Sequence, residues 1–346
     1  MKDFLCGRSR GSPSCSPAPA KSFSMLLEVK NLHISFPTES GMIRAVEGID
    51  LSLSAGEILG LVGESGCGKT VTALSIIRLL PDPPGVQVEG EVLFEGQDLL
   101  RLNKERMRHL RGKEISMIFQ EPTTSLNPVL TVGNQISEVL RVHEGMSERE
   151  ARCKSVKMLK LMRLSDVQRV MSEYPHRLSG GMCQRAMIAM ALACNPRILI
   201  ADEPTTALDV TIQAQILDLL KRLRDELKMA VLLITHDLGV IAQVAQRVVV
   251  IYAGRVVEEA TVADLFRVPF HPYTQGLLHS IPPMRNSKTR RSRLSAIPGS
   301  VPNLQALSQG CKFHPRCSRA QGICREKEPR LDPSSLGHRV RCFFPG

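Results

Sequence analysis

The chain has 346 residues and a formal net charge of +11 at pH 7, with 43% hydrophobic and 23% charged residues. These proportions are ordinary for a globular protein, and the length suggests roughly two domains. No segment contains the roughly 18 consecutive apolar residues that a transmembrane helix requires, so the sequence predicts no membrane span. Trp is absent and aromatic residues make up only 4%, which gives no indication of a stacking surface for carbohydrate or single-stranded nucleic acid.

The ten cysteines are scattered along the chain, which argues against the disulfide framework of a secreted protein and favours a reducing, cytosolic compartment. The positive charge leaves nucleic acid, anionic lipid or no specific partner open. Basic residues are dispersed except between Arg285 and Arg293, and that run is typical of a solvated linker. We therefore predict no nucleic-acid partner.

Residues 1–24 are rich in Ser, Pro, Gly and Ala, so we expect them to be disordered and expect translation to begin at Met25. Residues 25–270 alternate apolar strands with amphipathic helices, which predicts an α/β fold with a mostly parallel sheet. A helical subdomain is predicted at about 97–185. Residues 271–346 are rich in Pro and contain four cysteines, and we interpret them as a separate C-terminal extension.

The hydrophobic periodicity divides this region into individual elements. Strands are predicted at 27–36, 45–53, 58–62, 91–94, 115–119, 198–201, 230–235 and 248–252. Helices are predicted from the glycines near residue 66 to about 80 and at 132–143, 148–164, 181–193, 212–227 and 238–245.

One segment between an apolar strand and a helix reads Gly63-Glu64-Ser65-Gly66-Cys67-Gly68-Lys69-Thr70. It fits the phosphate-binding pattern of Gly, four residues and Gly-Lys-Thr in the context that this motif requires. The glycines allow consecutive backbone N–H groups to point toward one anion, and the helix N-terminus adds positive potential. We expect Lys69 to contact the β- and γ-phosphates and Thr70 to ligate Mg²⁺, so the chain is predicted to bind a nucleoside triphosphate.

Cys67 lies inside this loop, at a position where phosphate binding requires only the backbone N–H and not the side chain. A helix N-terminus lowers the pKa of a thiol, and we expect alkylation of Cys67 to block nucleotide binding.

The apolar strand at 198–201 ends in Asp202 and Glu203. Parallel sheets place ligand sites at the carboxyl ends of their strands, so we expect Asp202 to hold Mg²⁺ opposite Thr70. Glu203 is expected to polarise a water molecule for in-line attack on the γ-phosphate. No Ser, Cys or Lys is arranged to form a covalent intermediate, which favours direct hydrolysis by water.

A second glycine-containing helix start reads Leu178-Ser179-Gly180-Gly181-Met182-Cys183-Gln184. Alone it is compatible with ordinary helix capping, and beside a phosphate loop it predicts a second anion site. Because a helical insert separates the two half-sites, we do not expect one chain to close both of them on a single ATP. We therefore expect head-to-tail dimers, in which the Ser179 loop of each chain covers the nucleotide of its partner.

The order of these motifs resembles the ATP-binding cassette (ABC) family over about residues 26–270. The motifs that carry the resemblance are the phosphate loop, Gln120, the signature at 178–184, Asp202 with Glu203, Asp209 and His236. Within the ABC family, the chain most resembles the ATP-binding subunits of dipeptide and oligopeptide importers. Three segments and one tetrapeptide carry this more specific resemblance: 117–128, 174–181, 202–210 and His271-Pro272-Tyr273-Thr274.

The resemblance implies a P-loop NTPase cassette with a mostly parallel core, an antiparallel β part, a helical subdomain and the extension. It implies that Gln120 contacts Mg²⁺ or the attacking water and that His236 donates to the γ-phosphate. It also implies that Asp209 lies at the dimer seam and that Phe36 stacks on adenine. The residues expected to contact the partner's nucleotide are Ser179, Gly180, Gly181 and Gln184.

Four cysteines lie in the extension: Cys311, Cys317, Cys324 and Cys342. Their spacing leaves a zinc site, an iron–sulfur cluster and unliganded thiols open. The resemblance favours a [4Fe-4S] cluster, because some members of that subfamily bind one through cysteines of the tail.

As a function, the resemblance implies a peripheral ATPase at the cytoplasmic face of the membrane that powers import of dipeptides or oligopeptides. The implied partners are a second, related ATPase chain, two membrane permease subunits that contact the region 120–138, and an external solute-binding protein. Two alternatives are an importer of nickel or another small solute and a soluble ATPase of the DNA-repair type. The second lacks support, since no long coiled coil or zinc module separates Thr70 from Leu178.

Overall fold

The computed structural model describes residues 25–39, 41–82, 85–121, 125–206, 209–281, 297–300, 302, 309–334 and 337–346. The predicted disorder of residues 1–24 and the predicted basic linker at 285–293 lie outside these ranges.

The strands are β1 (Met25–Thr38), β2 (Gly41–Ser54), β3 (Ile58–Val62), β4 (Gln87–Phe94), β5 (Gln97–Asp98), β6 (Ile115–Ile118), β7 (Ile198–Asp202), β8 (Ala230–Thr235), β9 (Arg247–Tyr252), β10 (Arg255–Thr261), β11 (Asp332–Pro333) and β12 (Arg339–Val340). The helices of the described ranges are α1 (Lys69–Ile76), α2 (Lys104–Leu110), α3 (Val132–Glu144), α4 (Glu148–Leu161), α5 (Val167–Ser172), α6 (Gly180–Ala191), α7 (Val210–Leu227), α8 (Leu238–Val244), α9 (Val262–Arg267), α10 (Pro272–His279) and α11 (Gly322–Glu326).

The described strands form two sheets. The larger has the order β11-β12-β10-β9-β3-β8-β7-β6, and its strands from β9 to β6 are parallel. The smaller sheet, β2-β1-β4-β5, is antiparallel. The predicted α/β fold, with a mostly parallel core and an antiparallel β part, is confirmed.

Strand β3 lies between its parallel neighbours β9 and β8, and all five of its residues are buried. Burial on both faces explains why it reads as a continuous apolar run. Ile58 and Val62 belong to one hydrophobic cluster, whereas Leu59 and Leu61 belong to the other. This alternation divides the protein into a core on each side of the sheet.

The first cluster joins the parallel sheet to helices α3, α4, α5, α6 and α7. Helix α3 is amphipathic, capped by Thr131 at its start and by the left-handed Gly145 at its end. Helix α4 starts with a capping box formed by Ser147 and Glu150. Within the described ranges, no helix is sufficiently long and apolar to cross a membrane.

The region of the predicted helical subdomain, about 97–185, begins with strands, and one of them lies where the sequence predicts a strand at 115–119. Strand β5 pairs with β4, and β6 pairs in parallel with β7 at the edge of the large sheet. The four residues of β6 are all buried, and Ile118 also belongs to the hydrophobic cluster that contains the helices. From residue 125 to Ala191, the described elements are all helical.

The C-terminal extension adds strands to the large sheet. Strand β12 pairs antiparallel with β10, and β11 pairs with β12. Beneath this junction, the buried Glu258 accepts hydrogen bonds from the backbone N–H groups of Phe270 (2.8 Å) and His271 (2.9 Å). Its Oε1 also lies 3.1 Å from Nδ1 of the buried His338. These contacts attach the extension to the cassette through the backbone and through a buried polar pair.

The loop after β3 fits tightly against the neighbouring strand. A Cβ atom on Gly63 would lie 2.3 Å from the carbonyl oxygen of Ile251 and 2.6 Å from Sγ of Cys67, so no larger residue fits there. Gly68 has a φ of +103°, and a Cβ there would lie 2.9 Å from the carbonyl oxygen of Ala45. Both glycines are therefore required by close backbone approach.

Cys67 fills the space under the loop and is fully buried. Burial raises the pKa of its thiol, and the neighbouring Lys69 ammonium only partly offsets that effect. The expectation that the helix N-terminus lowers this pKa is therefore wrong, because desolvation of the thiolate dominates.

We expect Cys67 in the native protein to react with iodoacetamide at least about a hundredfold more slowly than the exposed Cys153, because the thiolate is the reactive species and Cys67 is inaccessible. Peptide mapping by mass spectrometry after timed labelling measures both rates in one sample, and unfolding in urea should equalise them. Equal labelling in the native protein would contradict the burial described here.

Candidate functional site

Four segments that are distant in the sequence meet at the carboxyl edge of the parallel sheet. The phosphate loop follows β3, and Gln120 follows β6. Asp202 is the last residue of β7, Glu203 comes directly after it, and His236 follows β8. In parallel sheets this edge is where ligands bind, because the loops after the strands converge there.

Lys69 is turned into the loop that precedes it. Its Nζ donates to the carbonyl oxygens of Gly63 (2.9 Å) and Glu64 (3.0 Å), and the residue is only 5% exposed. The ammonium therefore already lies inside the loop. A phosphate that enters would replace these carbonyl oxygens as its partner.

Asp202 lies at the end of β7, with the Thr70 side chain near its carboxylate. Burial raises the pKa of Asp202, and the interaction with Thr70 opposes the rise. Within the described part of the chain, its buried Oδ1 has no hydrogen-bond partner. An unpaired carboxylate oxygen beside a threonine hydroxyl is the oxygen donor set that Mg²⁺ prefers, so these residues fit the ion.

Glu203 is the centre of a hydrogen-bonded group. Its Oε2 accepts from the Gln120 side-chain amide (3.2 Å) and from the Thr206 hydroxyl (2.8 Å). Its Oε1 lies 3.1 Å from Nδ1 of His236, whose side chain is 54% exposed. The structure thus brings the three residues predicted to be catalytic, Gln120, Glu203 and His236, into one contact group.

The electrostatics of Glu203 favour its charged form. Burial alone raises its pKa, but the hydrogen bonds from His236 and Thr206 outweigh burial and hold the pKa below its usual value. Its backbone has a φ of +46°, in the left-handed region that non-glycine residues rarely adopt. Its N–H donates to the carbonyl oxygen of Ile234 (2.9 Å), which ties this conformation to β8. Such strain persists only where the surrounding structure enforces it.

The signature segment begins α6, with Ser179 as its N-cap. The Ser179 hydroxyl accepts from the Met182 N–H at 3.4 Å, and Gly180 faces open space. Gly181 is close to Ile212, whose Cγ2 would lie 3.4 Å from an added Cβ.

Gln184 does not face outward. It is 2% exposed, and its amide donates to the carbonyl oxygen of Pro204 at 2.6 Å, just after β7. This turn of α6 faces the protein interior, and the predicted contact of Gln184 with a partner's nucleotide stays a prediction. The hydrogen bond from Gln184 to Pro204 joins the signature helix α6 to the segment that carries Glu203.

Two further predicted residues lie at element ends. Asp209 caps α7 by accepting from the Ile212 N–H at 2.9 Å, and the adjacent Val210 is 82% exposed. Phe36 pairs with Ile43 across β1 and β2 and is half-buried against the second cluster. Its role in adenine stacking stays a prediction.

Several contacts of the site were not predicted from the sequence. Thr206 lies three residues after Glu203, a spacing that could have suggested its hydrogen bond. Arg316 and Tyr273 both contact Glu64 in the phosphate loop, with Arg316 forming two hydrogen bonds to the carboxylate and the Tyr273 hydroxyl accepting from the backbone N–H. No local pattern indicates contacts across such sequence separations.

The four cysteines of the extension line one small cavity, together with His314 and Phe313. None of the four forms a disulfide, and burial raises the pKa of Cys311 to about 12. Among the described residues, no three His, Cys, Asp or Glu side chains are arranged to hold a metal ion. The thiols thus share a cavity without forming a ligand set, and the structure gives the predicted iron–sulfur cluster no support.

Two parts of the chain match known families. Residues 46–206 match the family described as ABC transporter. Residues 257–324 match the family described as oligopeptide/dipeptide transporter, C-terminal region. The second match includes Tyr273 and Arg316, the residues of the extension that contact Glu64 in the phosphate loop.

Similar proteins agree with both matches. The "probable peptide ABC transporter ATP-binding protein y4tR" of Sinorhizobium fredii is 54% identical over 92% of this chain and 95% of its own length. The "oligopeptide transport ATP-binding protein AppD" of Bacillus subtilis is 52% identical over 93% of this chain and 97% of its own.

A solved structure agrees as well. The dimeric post-hydrolysis structure of the ATP-binding cassette MJ0796 bound to ADP and Pi is 32% identical, with a TM-score of 0.61 over 68% of this chain and 99% of its own. The similarity of the two structures supports the cassette architecture of this chain. The chain therefore belongs to the ABC transporter family, among the ATP-hydrolysing subunits of its oligopeptide/dipeptide transporter subfamily.

Proposed function

We propose that this chain energises the import of dipeptides or oligopeptides through partner permease subunits, from the cytoplasmic face of the membrane. The observation that carries the proposal is the joint presence of a nucleotide cassette and the oligopeptide/dipeptide transporter C-terminal region, as in relatives named for peptide transport. The proposed partners are a second, related ATPase chain, two permeases and an external solute-binding protein.

The residues at the sheet edge support a role in hydrolysis by water. The ionised Glu203 carboxylate accepts a proton from the attacking water, while Gln120 and His236 hold that carboxylate in place. Lys69 and the loop N–H groups bind the phosphates. Thr70 and Asp202 would hold Mg²⁺, which neutralises phosphate charge when bound.

Two surfaces support the proposed partners. The N-terminal ends of α6 and α7 are exposed and accessible to a second cassette, at Ser179, Gly180, Asp209 and Val210. In the helical part, Val129 and Val142 are 74% and 69% exposed beside an open groove between α3 and α4. Exposed apolar residues beside a groove favour protein contact, so we assign this surface to the permeases.

An uptake assay tests the cargo. The chain is co-purified with its membrane partners, reconstituted in proteoliposomes and supplied with labelled di- and tripeptides or with ⁶³Ni²⁺. We expect peptide uptake that requires ATP. In Glu203→Gln, uptake and turnover should fall at least about a hundredfold while ATP binding persists, because the proton acceptor is lost. Uptake of nickel without uptake of peptide would show that the transported solute is nickel and would contradict the proposed peptide cargo. If Glu203→Gln hydrolysed ATP at the wild-type rate, Glu203 would not be the proton acceptor.

The hydrogen bond from Thr206 gives a pH prediction. Activity requires the Glu203 carboxylate, so it is lost as pH falls through the pKa of that group. The Thr206→Val variant lacks the hydroxyl that donates to the ionised Glu203 carboxylate, so the pKa of Glu203 should rise. The acid limb of the pH profile of kcat should therefore move to higher pH. Thr206→Ser keeps the hydroxyl and is the matched control. An unchanged acid limb in the Val variant would exclude this contribution.

We also propose, from the subfamily resemblance alone, that the four extension cysteines can bind a [4Fe-4S] cluster. Anaerobic purification followed by iron, sulfide and zinc analysis tests this directly. Four irons and four sulfides per chain, lost in Cys317→Ser, would support the cluster. Stoichiometric zinc or no metal would refute it.

A further inference from the structure

The C-terminal extension reaches the phosphate loop through Arg316. The Nη1 and Nη2 atoms of Arg316 donate to the two carboxylate oxygens of Glu64, at 2.6 and 3.0 Å. Its Nε donates to the carbonyl oxygen of Pro298 at 2.9 Å, and its side chain is 6% exposed. The ion pair with Glu64 is thus bidentate, and the third hydrogen bond, to Pro298, further fixes the planar guanidinium.

Tyr273 holds the same loop residue through the backbone. Its hydroxyl accepts a hydrogen bond from the Glu64 N–H at 2.9 Å. The ring is fully buried, and its centroid lies 4.7 Å from that of Tyr252 and 5.4 Å from that of Phe313. Three packed aromatic rings therefore fix the position of this hydroxyl.

Glu64 in turn contacts the lysine of the loop, since its carbonyl oxygen accepts from Lys69 Nζ at 3.0 Å. A continuous set of contacts thus runs from the extension through Glu64 to the group that binds phosphate. Glu64 also carries a negative charge in a loop that receives a polyphosphate, and Arg316 is the cation that neutralises it. Without Arg316, that carboxylate would repel the nucleotide.

We propose that Arg316 and Tyr273 are positioning residues of the ATP site, so that the C-terminal extension sets the affinity of the phosphate loop for MgATP. Neither residue lies in a motif that binds nucleotide, and each acts through Glu64. This inference rests on ATP binding and is independent of the cargo that the transporter carries.

A rescue experiment on the full chain tests the charge relationship. The variants are Arg316→Met, Glu64→Gln and the double variant, with Arg339→Met as a control because Arg339 forms an ion pair with Glu259 elsewhere in the extension. MgATP affinity is measured by titration calorimetry, and KM and kcat by phosphate release. Thermal melting reports folding.

We expect Arg316→Met to weaken MgATP binding and raise KM roughly tenfold, with kcat changed less than about twofold. The double variant should recover most of that loss, because removal of the Glu64 charge removes the repulsion. Arg339→Met should bind like the wild type. Recovery by a change in the loop distinguishes positioning from a general loss of structure in the extension.

Two results would overturn the proposal: unchanged MgATP affinity in Arg316→Met, or a double variant that binds as weakly as the single one. If Arg316→Met does not fold, Arg316→Lys keeps the charge but loses the bidentate geometry and should give a smaller rise in KM. Tyr273→Phe removes only the hydroxyl that accepts from Glu64, and it should weaken MgATP binding about threefold. Wild-type affinity in both conservative variants would equally exclude the proposal.

Discussion

The parallel pairing of the strands from β9 to β6 is the constraint on which the site depends. Strands β3, β6, β7 and β8 end at one edge, which brings together groups from across the chain. The close approach of Gly63 to Ile251 sets the depth of the phosphate loop against β9. The left-handed Glu203 is tied to β8 through Ile234, so its carboxylate is held where the loops from β6 and β8 can reach it.

Much of this arrangement could be predicted from the sequence. Strands β3 and β8 have the predicted bounds, because fully buried parallel strands read as uninterrupted apolar runs. The phosphate loop and the acidic end of β7 were also recognised, since their residue types follow directly from the ligand they bind. His236 depended on family resemblance, because a lone histidine after a strand has no distinctive local pattern.

The remainder depends on tertiary contacts that local patterns do not encode. Strand β10 and helices α9 and α10 were not predicted, and the two short strands of the extension lie among Pro-rich segments. The orientation of Gln184 follows from the packing of α6 against the end of β7. The pKa of Cys67 is set by burial, which competes with the helix N-terminus and prevails.

The two outermost described strands of the large sheet share one property. Strand β6 has four residues, and β11 has two, the second of which is Pro333 without an N–H to donate. Long unpaired strands recruit further strands from other molecules, and short or proline-containing ones do not. Each rim of the sheet is thus a poor template for cross-β growth. Copies of the protein at high concentration are accordingly not expected to extend this sheet by pairing along β6 or β11.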